Sequence, residues 1–180
     1  MKVLITGGSG FLGTQLRSSL EASFYNWDIQ INKDVFDEGI EEDICECSLV
    51  YHLAAITSVE ESQVNPDSTF RTNVLGTARI LRLCFKHNRK VIYPSTGAVF
   101  YPQASPYAYS KKVAEEVAMG MLPYMKLVIL RLRNVYGKSM NDRTGSVMYN
   151  FLHQDPIEVY GKGEQTRDFI NWEDVIGIMK

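Results

Sequence analysis

Apolar residues along this chain follow two alternating periods. Short β-like runs stand at Lys2–Thr6, Trp27–Ile31, Leu49–Leu53, Lys90–Tyr93 and Lys126–Leu132. Between them, apolar positions recur at helical spacing and predict helices over Phe11–Ala22, Pro66–His87, Tyr107–Met121 and Ser146–His153, with another starting near Trp172. Phe11, Leu12, Leu16 and Leu20 share one face of the first helix. Phe70, Val74, Ala78, Leu81 and Phe85 form a packing stripe on the second. Met119, Met121 and Met125 read as gap-filling core. This rhythm predicts an α/β fold, a doubly wound parallel sheet with helices on both faces. No repeat, low-complexity tract or flexible linker interrupts it, and 180 residues suit one domain.

The first strand runs straight into Thr6-Gly7-Gly8-Ser9-Gly10-Phe11-Leu12-Gly13. Gly7, Gly10 and Gly13 form G-x-x-G-x-x-G between a strand and a helix. The first glycine permits the tight turn. The second lets backbone approach a phosphate, and the third lets helix pack on strand. The helix N-terminus then offers free N–H groups to a pyrophosphate. A Rossmann-like dinucleotide site is the expectation.

Ser105-Pro106-Tyr107-Ala108-Tyr109-Ser110-Lys111 adds Y-x-x-x-K. On a helix, Tyr107 and Lys111 share a face. An ammonium beside a phenol favours the phenolate and suits it to proton transfer near neutral pH. Tyr109 lacks such a partner, since Val113 lies four residues on. Ser95-Thr96, after the Lys90–Tyr93 strand, supplies a hydroxyl able to hold a reacting oxygen.

Composition narrows the class. Apolar residues make up 45% and charged residues 22% of the chain, and the net charge is -2. That balance gives no basic surface for nucleic acid. No apolar run approaches the roughly 20 residues of a membrane helix, and no signal peptide is visible. Cys45, Cys47 and Cys84 lack metal-ligand spacing and read as reduced thiols in the cytoplasm. No metal site is expected.

The chain resembles the extended short-chain dehydrogenase/reductases, in particular the NAD-dependent nucleotide-sugar epimerase/dehydratase group. The resemblance rests on six segments in order: Thr6–Gly13, His52-Leu53-Ala54-Ala55, Asn73-Val74-Leu75-Gly76-Thr77, Ser95-Thr96-Gly97-Ala98-Val99, Arg131–Gly137 and Tyr160–Ile170. It implies a dinucleotide-binding Rossmann domain over 1–133 and a partial substrate-binding region over 134–180. It implies Thr96, Tyr107 and Lys111 as catalytic residues. Cofactor contacts are implied for Gly7, Gly10, Phe11, Leu12, Gly13, Leu53, Ala54, Ala55 and Asn73, together with Tyr107 and Lys111. Thr96, Asn134 and Arg167 are implied to meet a nucleotide-sugar substrate. Relatives often dimerise through two long helices, here Pro66–His87 and Tyr107–Met121, with Leu83, Val117 and Met121 as candidate contacts of a homodimer.

Three departures from the family pattern stand out. The position for an acidic residue after the second strand falls on Asn32, followed by Lys33; Asp28 or Asp34 takes the role if the register shifts. A carboxylate there suits NAD and a cation suits NADP, so both remain open, with NAD favoured. The Asn32–Leu49 stretch is too short for the usual strand–helix–strand passage, although Asp43-Ile44 can supply the pair that meets the adenine. The chain ends at Lys180, soon after the Arg167-Asp168-Phe169 segment, and reads as truncated; sugar binding and turnover are then expected to be weak.

Gly97-Ala98 occupies the place where related dehydratases carry acids, and neither residue can move a proton. The expected reaction is therefore epimerisation through a keto-sugar, with NAD as hydride carrier. An NADP-dependent sugar reductase and a dinucleotide-binding module without turnover are the alternatives.

Overall fold

The computed structural model describes residues 1–137, 147–153, 155–157, 159 and 161–180. Ser146, the expected start of a helix, and Tyr160, the start of the last motif, lie outside the described residues. The central sheet is parallel and five-stranded, in the order β2-β1-β3-β4-β5. Its strands are β1 (Lys2–Thr6), β2 (Ser23–Trp27), β3 (Leu49–His52), β4 (Lys90–Thr96) and β5 (Leu127–Leu132). β6 (Asn134–Tyr136) and β7 (Phe169–Asn171) form a separate parallel pair.

Alternate residues of β1 feed two cores, as a strand buried on both faces must. Val3 and Ile5 pack with Leu16 of α1 (Phe11–Ser19), Tyr51, and Val175, Ile176 and Met179 of the last helix, Trp172–Met179. Leu4 points the other way. It joins Ile40 and Ile44 of α2 (Ile40–Glu46), several residues of Thr77–Lys86, and Ala114 and Ala118 of Pro106–Met121. The stretch after residue 133 thus returns to cover the sheet, and the Tyr51 hydroxyl donates to the Met179 carbonyl at 3.3 Å.

The second strand lies four residues earlier than its apolar pattern predicts. Ser23–Trp27 pairs in register with Lys2–Thr6. Ile29–Ile31 is instead a single 3₁₀ turn, capped by Asp28, whose carboxylate accepts from the Gln30 amide at 2.9 Å. Ile29 and Ile31 consequently lie exposed. The short Asn32–Leu49 stretch holds α2 and no strand, so β2 forms one edge of the sheet.

The long helix expected over Pro66–His87 is built in three parts. α4 (Pro66–Phe70) follows α3 (Val59–Val64), with Asn65 as cap and Pro66 in the first turn. A π-helical segment, Arg71–Gly76, then leads into α5 (Thr77–Lys86). α6 (Pro106–Met121) is capped by Ser105, whose hydroxyl accepts from the Ala108 amide at 3.1 Å. α7 is Val147–His153 and α8 is Trp172–Met179.

The chain winds from β1 outward to β2, then crosses to the other side of β1 for β3. The order reverses there, and such a reversal opens a crevice at the carboxyl ends of the strands. The turns after β1, β2, β3 and β4 all converge on that end.

Candidate active site

The glycine turn shows why each glycine is needed. Gly7 has φ +67°, and a Cβ on it would stand 2.6 Å from the Ala54 amide nitrogen. A Cβ on Gly13 would stand 2.3 Å from the Gly7 carbonyl oxygen. These two let the β1 turn lie on the β3 exit and let α1 pack on the turn. Gly10 differs: a Cβ there would meet only the Gly7 oxygen, at 3.3 Å. Gly10 caps α1 without a side-chain acceptor, and no acidic residue stands in the first turn. An exposed cradle at a positive helix end results, suited to a pyrophosphate. Phe11 and Leu12, half-buried, follow directly.

Asp28, not Asn32, is the acidic residue at the end of β2. Its carboxylate accepts from the Ser9 amide at 2.9 Å, which fixes it to the glycine turn. Asn32 is exposed, with φ 56°, and closes the 3₁₀ turn through its own amide. Asp43 and Ile44 also have partners within the fold. Asp43 accepts from the Trp27 indole at 2.7 Å, and Ile44 is wholly buried in the core, so the fold itself uses the pair.

Asn73 is likewise a positioning residue. It is buried in the π-helical segment, where its side-chain oxygen accepts from the Ile56 amide at 2.9 Å. Its two N–H donors go to the Ile56 carbonyl and the Ser110 hydroxyl, both at 2.9 Å. With both donors taken, the amide has none left for a cofactor. It pins the loop that carries Leu53, Ala54 and Ala55, which line the crevice half-buried. The extra residue of a π turn, often found at functional sites, lies at this contact.

His52 anchors the same loop from below. Its ring bridges the Thr6 hydroxyl at 2.7 Å and the Thr77 hydroxyl at 3.0 Å. Burial, aided by the nearby charge of Lys111, pushes its pKa down to about 3. The Thr6 hydroxyl in turn accepts from the Ala54 amide at 3.2 Å.

α6 brings Tyr107, Lys111 and Glu115 onto one face at four-residue steps. Tyr107 is half-buried and faces the Thr96 hydroxyl. Burial raises its phenol above the ordinary value, with the Thr96 hydrogen bond in partial opposition, so the lowering expected from Lys111 gives way to burial. Tyr109 is exposed and leans on Phe70.

Lys111 is buried. Its ammonium donates to the Pro94 carbonyl at 2.9 Å and lies 4.3 Å from the Tyr93 ring centroid. Burial drives its pKa down to about 7, against an upward pull from Glu115. Glu115, itself buried, accepts from the Ser95 hydroxyl and, at 2.6 Å, from Arg131. Burial works to raise its carboxyl, but those two donors outweigh it and hold the group below the ordinary range. Sequence reasoning missed this Ser95–Glu115–Arg131 network, although Lys111 and Glu115 sit at a visible i,i+4 spacing.

Asn134 and Arg167 lie on the β6–β7 side. Asn134 donates to the Asp168 carbonyl at 2.9 Å. Arg167 is exposed and donates to the Thr166 carbonyl at 2.8 Å. Among the described residues, no cluster of three or more His, Cys, Asp or Glu side chains could hold a metal ion.

A putative UDP-glucose 4-epimerase of Methanocaldococcus jannaschii is 30% identical over 96% of this chain and 70% of its own length. UDP-glucuronic acid decarboxylase 2 of Arabidopsis thaliana is 29% identical over the whole chain, which spans 50% of that protein. The solved structure of TunA, an NAD-dependent NDP-hexosamine 5,6-dehydratase, superposes with a TM-score of 0.84 at 30% identity, over 99% of this chain and 71% of its own. Residues 3–180 match the family described as the NAD dependent epimerase/dehydratase family, to which this chain belongs.

Proposed function

We propose that this chain is the catalytic framework of a nucleotide-sugar epimerase that uses NAD. The observation that carries the reading is the Thr96–Tyr107 pair at the end of β4, followed by Gly97-Ala98 with no acidic side chain. Elimination of water from a sugar calls for a further acid or base beside the tyrosine. Epimerisation at a carbinol carbon needs one proton carrier. The similar proteins named above act on UDP- or NDP-sugars by their names, which makes UDP-sugars the substrates of choice here.

The residues fit NAD. The Gly10 cradle and the uncapped α1 end suit the pyrophosphate, and Asp28, just past β2, is the carboxylate available for a ribose hydroxyl. The Asp28 carboxylate would repel the 2′-phosphate of NADP, which disfavours the reductase alternative. The chemistry that NAD would supply when bound is reversible uptake of a hydride from the sugar carbon, with its return to the opposite face. Tyr107 takes the sugar hydroxyl proton and gives it back. Thr96 orients that oxygen. Lys111, on the same face of α6 and anchored at Pro94, is the cation that would be available to the cofactor's ribose. Asn134 and Arg167, on the 134–180 side, are assigned to the nucleotide sugar.

We also assign a homodimer built on the outer faces of α4–α5 and α6. Leu83 is fully buried and is withdrawn as a contact, while Val117 and Met121 are partly buried against the core. Leu75, Phe85 and Met119 are exposed and take their place. A cytoplasmic setting suits the three free thiols, Cys45, Cys47 and Cys84. No helix among the described residues is long and apolar enough to cross a membrane.

The test is a proton-NMR assay of UDP-sugar interconversion with added NAD. Epimer formation that disappears in Tyr107→Phe supports the reading. Consumption of NADPH with a keto-sugar would favour the reductase, and NAD binding without any turnover would favour a binding module.

A further inference from the structure

The register of β4 and β5 places Thr96 beside Leu132, so the next residues, Gly97 and Arg133, also meet. Their contact is close. A Cβ on Gly97 would lie 2.7 Å from Arg133 Cδ, 2.8 Å from Nε and 3.1 Å from Cζ. The guanidinium therefore lies over the residue that follows the Thr96 hydroxyl, in space that any side chain at position 97 would take. Ala98 offers no carboxylate to neutralise it.

Among the described residues, the ion-pair partner of Arg133 is weak. Its Nε lies 3.7 Å from the Asp168 carboxylate, and the two side chains are 51% and 78% exposed. A solvated ion pair of that kind contributes little. A guanidinium has five donors in a planar fork matched to carboxylates, and most of that capacity remains for a ligand.

Resting on the nucleotide-sugar reading of Thr96 and Tyr107, we propose that Arg133 is a specificity residue that binds the carboxylate of a uronic-acid nucleotide sugar beside its reacting carbon. A diphosphate is the other anion of such a substrate. The position of Arg133, over the residue that follows Thr96, favours the sugar's own carboxylate. Exposed Arg167 is left for the phosphates.

The experiment is calorimetric titration of the 180-residue chain, with NAD present, against UDP-glucuronic acid and UDP-glucose. The wild type is expected to prefer the uronate by about 10–100-fold, the range of a charge-assisted hydrogen bond. Arg133→Leu should bring uronate affinity down to that of UDP-glucose. Arg133→Lys should keep part of the preference, since it retains charge without the fork. NAD titration of each variant reports that the fold is intact. Equal wild-type affinities overturn the proposal and leave the nucleotide-sugar reading standing. Equal losses for both sugars in Arg133→Leu also overturn it, by placing Arg133 on the diphosphate. If NAD binds and neither sugar does, the nucleotide-sugar reading itself fails and the proposal falls with it.

Discussion

The Lys111 ammonium donates to the Pro94 carbonyl at 2.9 Å, which ties the middle of α6 to the end of β4. One bond thereby sets the distance between the helix that carries Tyr107 and the strand end that carries Thr96. It also holds a cation in a buried place. Folding lowers the Lys111 pKa to about 7, whereas an unfolded lysine titrates near 10.4. Between those values the unfolded chain binds a proton that the folded chain does not. Stability then rises with pH.

Urea unfolding of the cofactor-free chain should therefore show stability that increases from pH 7 to about pH 8.5. Above that, buried Cys47, raised to about 11, works in the opposite direction as the unfolded thiol ionises. Lys111→Met should remove the rise and be the more stable protein near neutrality. A flat wild-type profile over this window would show that the ammonium is well solvated.

Tyr107→Phe keeps the ring and removes the proton carrier. Turnover is expected to fall by about 10²–10⁴-fold, with NAD affinity little changed. Tyr109→Phe, at an exposed position, should act within a few-fold of wild type. Steady-state kinetics of the two variants side by side decide the assignment, and a larger loss in Tyr109→Phe would reverse it.

The glycine turn separates binding from folding. Gly10→Val places its methyl groups in the open cradle, so the chain should fold and fail to bind NAD. Gly13→Val would drive a side chain into the Gly7 backbone, so it should lower the melting temperature sharply. Calorimetric titration and scanning calorimetry on both variants test the contrast. Full NAD affinity in Gly10→Val would mean that the cradle is not the pyrophosphate site.

These distinctions mark how far the sequence could be read. The Gly7–Gly13 turn, the Tyr107–Lys111 spacing and the strand into Thr96 are local signals, and the architecture follows from them. The clamp made by Asn73 has no local signal, because its partners, Ile56 and Ser110, lie 17 and 37 residues away and only tertiary packing joins them. The β2 register failed differently. Trp27, Ile29 and Ile31 alternate like a strand, but Asp28 caps a turn there and the apolar pair is left in solvent. Arg133 gives no local signal, since its meaning comes from the β4–β5 register.

Asn73→Ala tests the clamp directly. The Ile56 amide and carbonyl would each lose a partner, at a cost on the order of 1–3 kcal/mol. For a chain of this size each kcal/mol lowers the melting temperature by roughly 2–4 °C. The loop bearing Leu53, Ala54 and Ala55 would loosen, so NAD affinity should fall as well. Scanning calorimetry and NAD titration report the two effects, and an unchanged affinity beside a lowered melting temperature would confine the clamp to a structural role.

His52 should add to the acid sensitivity of the fold. Its ring is held between the Thr6 and Thr77 hydroxyls, and its pKa is lowered to about 3, well under the unfolded value near 6.5. Below pH 6.5 the unfolded chain gains a proton on this ring, and the folded chain stays unprotonated until about pH 3. The stability held above pH 6.5 is therefore lost progressively as the pH falls toward 3. His52→Asn keeps a polar side chain without the titration, so its stability should change less over that range, although its absolute stability is lower. The measurement is urea unfolding at half-unit steps between pH 7 and pH 4. Parallel losses in wild type and variant would assign the acid sensitivity to the carboxylate ion pairs instead of His52.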